Sequence, residues 1–311
     1  MDGKQLQTQY KEHLSDFNNW NQKEHAEDFI LYPKNIGYHL CIDETALSKG
    51  ELYTILTNRE KHGRKCTIVA IVKGTKAEDV INVLLKIDAD KRNQVKEITL
   101  DMAGSMQKIA KRCFPGAMQV VDRFHVSKLV YEAVQDLRIA YRWQVMKDEN
   151  RKIKEAKAKG ESYEPKVFGN GDTLRQLLAR SRYLLFKAPD KWLQSQKVRA
   201  KLLFEQFPDI KSVYYYALRL GKIFSDYTDK DVARAKLALW YNEIEEFGYD
   251  TFTTVANSIE NHYERILNYF VNRSTNAAAE AFNAKIKAFR ASFRGVVDKR
   301  FFLYRLAKVY A

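Results

Sequence analysis

Residues 37–73 read GYHLCIDETALSKGELYTILTNREKHGRKCTIVAIVK. Three runs within this stretch, 37–43, 51–58 and 65–73, are rich in Ile, Leu, Val, Thr and Tyr. Those side chains fit a pleated, half-buried surface, so the spacing predicts three successive strands. Residues 59–63, REKHG, read as a hairpin turn between the second and third. Beyond them the pattern alternates. Val80, Val83, Leu84 and Ile87 recur at helical spacing, and VKEITLD at 95–101 returns to a strand. SMQKIAKRCF at 105–114 predicts a short helix stopped by Pro115 and Gly116, and MQVVD at 118–122 a fifth strand. A doubly wound nucleotide-binding sheet would alternate from its first strand and would usually carry a Gly-rich first turn. This chain does neither.

Three strands followed by helix, strand, helix, strand is the order of a ribonuclease H-like sheet. The expected fold class is therefore α/β, a five-stranded mixed sheet with flanking helices. From about Ser127 to Val271 the strand signal vanishes and long amphipathic stretches take over, such as KLVYEAVQDLRIAYRWQVM. That length far exceeds an ordinary connection. It predicts an all-helical insertion at 129–270 between two parts of the sheet domain, 37–128 and 271–311. Residues 1–36 read as a short helix and an arm.

Three carboxylates stand out against this frame. Asp43 in HLCIDET and Asp101 in ITLDMAGSM end apolar runs, and Glu280 lies in TNAAAEAFNAKIK, a helical stretch. Two-metal phosphoryl transfer needs carboxylates held around ions about 4 Å apart. Magnesium takes hard oxygen ligands, and strand ends fix ligand directions well. Each residue also has a plainer reading. A strand-end Asp commonly serves a turn, and a Glu in a helix's first turn complements the macrodipole. The context of Glu280 favours more. Ala277, Ala278 and Ala279 let a helix approach a sheet, and Asn283 and Lys287 fall on the same face as Glu280. Asp122 and His125, directly after the fifth strand, suit either orientation of a ligand or phosphate, or the capping of the next helix.

Lys and Arg number 53 against 39 Asp and Glu, a formal net charge of +14. A polyanion is the simplest partner for that balance. Lys285, Lys287, Arg290 and Arg294 lie on the helix of Glu280 and are expected to contact DNA; a second basic run, 138–159, reads equally well as a solvated face. The aromatic residues Phe289, Phe293, Phe301, Phe302 and Tyr304 read as core. The three cysteines, Cys41, Cys66 and Cys113, form no CxxC pair, so no zinc ribbon is encoded; Cys41 and Cys66 read as buried, reduced core residues. No signal core or membrane-length apolar run occurs, and a cytoplasmic, nucleoid-associated protein is expected.

The blocks HLCIDET, ITLDMAGSM, VVDRFHV and TNAAAEAFNAKIK resemble those of bacterial insertion-sequence DDE transposases of the ISL type. Asp43, Asp101 and Glu280 match the catalytic positions. Asp122, His125, Asn276, Asn283, Ile286 and Lys287 match the surrounding pattern. The resemblance covers about 37–128 and 270–311 well and the helical middle only by length and character. It implies a ribonuclease H-like fold, two Mg²⁺ ions with Mn²⁺ as a substitute, and strand cleavage and transfer on double-stranded DNA at element ends and target, by a homo-oligomer. It also implies recognition of terminal inverted repeats. Members usually carry an N-terminal zinc ribbon and helix-turn-helix, for which Asp43 comes too early. The chain therefore resembles the catalytic part, with the end-recognition part expected to be either truncated away or encoded as a separate protein. A non-catalytic DNA-binding derivative and a ribonuclease H-like nuclease without strand transfer are the rival expectations.

Overall fold

The computed structural model describes residues 3–48, 50–248, 250–293 and 295–311. The strands are β1 (Phe29–Leu31), β2 (His39–Ser48), β3 (Glu51–Asn58), β4 (Ile68–Lys73), β5 (Glu97–Leu100) and β6 (Met118–Val121). The helices begin with α1 (Gly3–Gln9), α2 (Ala77–Leu84), α3 (Ala89–Asn93), α4 (Gly104–Cys113) and α5 (Arg123–Ala158). There follow α6 (Leu174–Arg180), α7 (Gln194–Gln206), α8 (Pro208–Asp226), α9 (Lys230–Phe247) and α10 (Asp250–Asn261). The last four are α11 (Tyr263–Leu267), α12 (Tyr269–Asn272), α13 (Ala277–Ser292) and α14 (Lys299–Tyr310). Among the described residues no helix is long and apolar enough to cross a membrane. The chain divides into two compact units: Met1–Asp122 with Glu264–Ala311, and Arg123–Tyr263.

The first unit is built on a mixed sheet of order β1-β4-β3-β2-β5-β6. β2, β3 and β4 pair antiparallel, whereas β5 runs parallel to β2 and β6 parallel to β5. The sheet has six strands where the sequence predicts five. The addition is β1, antiparallel to β4 at the edge, in a stretch that reads as an arm. Three residues are too few to show an alternating pattern. What makes Phe29–Leu31 a strand is the free edge of β4, a tertiary partner that local sequence does not announce. β3 and β4 are buried on both faces over most of their length, which explains their continuous apolar runs.

One face is covered by α13 and α14. Phe282, Ile286, Phe302, Leu303 and Leu306 pack with Tyr53, Ile55, Ile68 and Ile71. Phe301, Phe302 and Tyr304 are buried and Phe289 and Phe293 pack beside them, all as core residues. Cys41 is buried, but Cys66 is only half-buried, because it precedes β4 at a left-handed backbone position with φ 66°.

Glu97, the first residue of β5, is a buried charged residue of this apolar sheet, 1% exposed. Arg59 Nη1 lies 2.6 Å from its Oε1 and Asn272 Nδ2 donates to Oε2 at 2.9 Å. Burial alone would raise its pKa, but hydrogen bonds from Asn272 and Ser274 and the Arg59 charge outweigh burial and hold it below the ordinary value. A folded-state pKa below the unfolded one adds stability above the unfolded pKa of about 4.3, lost as pH falls through the folded value. Glu97→Gln is therefore expected to cost about 2 kcal/mol at neutral pH, the scale of hydrogen bonds to a charged group. It should also flatten the acid limb of stability against pH. Urea unfolding from pH 7 down to 3 measures both; parallel profiles for the two proteins would show that Glu97 carries no such linkage.

Among the described residues the named elements of the second unit are all helices. Val130, Val134, Leu137, Leu177, Leu203, Ile210, Val213, Tyr214, Leu220 and Trp240 are buried in it. The buried Asp172 anchors the irregular segment between α5 and α6, accepting from Arg180 and, at 2.8 Å, from Arg199. Helix α5 is 36 residues long, and none of residues 139–158 is buried.

Candidate active site

Asp43 lies on β2 opposite Ile55 of β3. Directly opposed residues of an antiparallel pair point to the same face. Ile55 packs under Phe282 and Ile286, so Asp43 points towards α13. Its carboxylate is held at both oxygens: Glu44 N donates to Oδ1 at 2.8 Å and Asn283 Nδ2 to Oδ2 at 2.7 Å.

Asp101 follows the last residue of β5. The β2–β5 ladder pairs His39 with Glu97 and Cys41 with Thr99. Continuing that register by two residues sets Asp43 beside Asp101. The β5–β6 ladder ends on Leu100 and Val121, and one step further sets Asp101 beside Asp122. The hydrogen bond from Asp122 N to Leu100 O, 3.1 Å, continues that ladder. So continued, the two ladders bring the three carboxylates to the same end of neighbouring strands. Asp101 Oδ1 accepts from Ala103 N at 2.8 Å, which fixes its side chain in the turn leading to α4. Asp122 is buried, 1% exposed.

Glu280 stands exposed in the first turn of α13. It is brought to Asp122: the two offer carboxylate oxygens within 4.8 Å of each other. Among the described residues, Asp43, Asp101 and Glu280 do not form a group with all ligand atoms inside that distance. The helix itself is fixed against β2. Asn283, one turn beyond Glu280, makes the bond to Asp43, and Asn276 Nδ2 reaches Ile42 O at 3.4 Å. Asn276 is fully buried, and its Oδ1 has no hydrogen-bond partner.

The electrostatic character of the site is negative. Burial, then the charges of Asp101 and Asp43, push Glu44 above its ordinary pKa. Burial pushes the Cys41 thiol up to about 11; Thr99 and Arg59 oppose this, and the charges of Asp122 and Asp43 add to it.

The remaining expected residues divide. His125 lies in the first turn of α5, its ring edge-on to Phe124. Lys287 is exposed and Arg290 half-buried on α13. Arg294 lies outside the described residues. Lys285 is committed within the molecule: its Nζ donates to Gly63 O at 2.8 Å. Gly63 has φ +71°, a left-handed position that favours glycine, and a Cβ there would stand 2.8 Å from that Nζ, displacing the flexible end of Lys285. Cations further along pair internally as well, Lys299 with Glu51, Arg300 with Glu27 and Lys308 with Asp16. Sequence reasoning passed over Glu44, beside Asp43, and Glu97. A Glu inside an apolar strand run was the available signal for the latter.

No curated protein matches the chain. A family model does: that of the DDE transposases of the ISL3 type, described as transposase, matches residues 40–306. This range takes in every carboxylate of the site and the whole of α13, and the chain belongs to the ISL3-type DDE transposase family.

Proposed function

We propose that this chain catalyses divalent-cation-dependent cleavage of DNA at the ends of its element and transfer of the freed strand to a target. Membership of a transposase family carries transposition itself. The chemistry rests on one observation, the approach of Glu280 to Asp122, at the end of strands whose registers, continued, carry Asp43 and Asp101. A ribonuclease H-like reading of the first unit has the same support. Its strands β4-β3-β2-β5-β6 place three antiparallel strands before two parallel ones, with these carboxylates at the parallel side.

The donor set fits hard divalent cations such as Mg²⁺. It is built on carboxylate oxygens, whose charges add to the burial that raises the pKa of Glu44 and Cys41. Asp43, Asp101 and Glu280 would hold the ions, with Asp122 close enough to Glu280 to share in that work. Bound there, such ions activate the attacking oxygen and stabilise charge on the leaving one. The protein's own part is orientation. Asn283 and the Glu44 amide lock the Asp43 carboxylate, the Ala103 amide locks Asp101, and Asn276 and Asn283 fix the helix that delivers Glu280. Lys287 and Arg290 on that helix are suited to backbone phosphates, and His125 to a phosphate or water.

Titration with Mg²⁺ or Mn²⁺, followed by calorimetry, tests the donor set. Glu280→Gln is expected to weaken cation binding at least about tenfold, the scale on which changes around a metal site act. Cleavage of element-end duplexes should appear with the cation and vanish with chelator. Equal cation affinity in the two proteins would remove Glu280 from the site.

A further inference from the structure

The second unit keeps three arginines together without a carboxylate. Arg138 is 4% exposed. Its partners are neutral: Nε donates to Gln135 Oε1 at 2.7 Å and Nη1 to Leu178 O at 2.9 Å. Arg142 lies one turn along α5, on the same face, and its Nε is buried with no hydrogen-bond partner. Arg182 follows α6, where its carbonyl accepts from Gln135 Nε2 at 3.2 Å. Burial, then the charges of Arg142 and Arg182, push the Arg138 pKa down. Among the described residues none of the three enters an ion pair.

Burying a guanidinium without an anion costs several kcal/mol, and adding like charges raises that cost. The same unit shows what it does when arginines are needed for structure: Arg180 and Arg199 converge on the buried Asp172. No such carboxylate meets Arg138, Arg142 and Arg182. A cluster with a buried, unsatisfied N–H donor is short of an anion.

We propose that Arg138, Arg142 and Arg182 form a phosphate seat that takes a backbone phosphodiester of duplex DNA. The seat rests on the reading of DNA as the substrate, and it adds a second point of attachment borne by the helical unit. Three features favour a polyanion over a small anion. Arg182 is exposed, so the seat opens to solvent. Tyr183 beside it is 69% exposed, with the Arg182 guanidinium 5.4 Å from its ring centroid. From Arg142 the exposed part of α5 continues with Lys147, Lys152, Lys154 and Lys157, none in an ion pair among the described residues. A single bound phosphate would need only the seat, whereas further exposed cations on the same helix suit a chain of phosphates.

The test compares wild type with the double variant Arg142→Gln/Arg182→Gln, leaving the buried Arg138 in place. Duplex affinity is measured by fluorescence anisotropy across a salt series, and the melting temperature is measured without ligand. The double variant is expected to bind about tenfold more weakly, with a slope of log K against log salt shallower by about one, the change that follows when one phosphate fewer is neutralised. Its melting temperature should stay level or rise, because repelling charges are removed. A lower melting temperature with unchanged affinity and slope would make the cluster structural and overturn the proposal. Inorganic phosphate is the second arm. If it stabilises wild type while duplex affinity ignores the double variant, the seat takes a small anion and the DNA assignment fails. The assignment also fails if wild type binds no duplex. Failure of the catalytic reading looks different: wild type binds DNA through these arginines yet never cuts it.

Discussion

Asp43→Asn is expected to slow cation-dependent cleavage of element-end duplexes at least about 10³-fold, or about 4 kcal/mol of transition-state stabilisation. Asp43 is the member of the site on β2, between the antiparallel and the parallel strands of the sheet. Its two oxygens accept from Glu44 N and Asn283 Nδ2. An asparagine keeps one oxygen, enough for the Glu44 amide. Its new NH₂ group would meet the Asn283 amide, which can turn its own oxygen towards it by a flip. The fold should therefore lose less than about 1 kcal/mol, and duplex affinity, which comes from Lys and Arg side chains on the phosphates, should be nearly unchanged. The informative result is the combination of lost cleavage, kept binding and kept melting temperature. Cleavage by the variant at a tenth of the wild-type rate or faster would remove Asp43 from the chemistry. Wild type that binds and never cuts, under any divalent cation, would instead favour a non-catalytic descendant of a transposase.

Much of the sheet was legible because its strands are buried on both faces. Continuous runs such as TILT in β3 and IVAIV in β4 have no competing helical period. The site was legible only in part. Asp43 and Asp101 are visible as polar ends of apolar runs, but that they stand beside each other, and beside Asp122, depends on the register of two parallel ladders. Register between strands far apart in sequence leaves no local trace. The same limit hid β1, which exists through its pairing with β4. It also hid the internal use of Lys285, whose partner is the Gly63 carbonyl in a turn 222 residues away. In sequence such a lysine is indistinguishable from one facing DNA.

Glu280 depends on how α13 is held, and Phe282→Ala should expose that dependence. Phe282 is fully buried in the cluster formed with Ile55, Ile286 and Phe302, with its ring edge-on to Tyr310 at 5.2 Å between centroids. Truncating it removes the transfer free energy of the ring and leaves a cavity, together about 3–5 kcal/mol. That is a large share of the total stability of about 5–15 kcal/mol expected for a folded domain. The rotation of α13 on the sheet would then rest on Ile286 and Phe289, the Lys285 bond to Gly63 O, and two amide hydrogen bonds, Asn283 to Asp43 and Asn276 to Ile42 O. A shift of about 1 Å at a catalytic group costs on the order of 10²-fold in rate. Cleavage by the alanine variant should fall by that order even below its unfolding transition. Phe282→Leu retains most of the volume and should cost under about 1.5 kcal/mol, with cleavage largely kept. Urea unfolding and single-turnover cleavage on the same preparations separate the two effects. A stability loss under about 1 kcal/mol for the alanine variant, against the roughly 3–5 expected, would mean that this face does not hold α13. Full-rate cleavage despite the expected stability loss would mean that Glu280 keeps its place without it, and the remaining contacts of α13 would then position the helix.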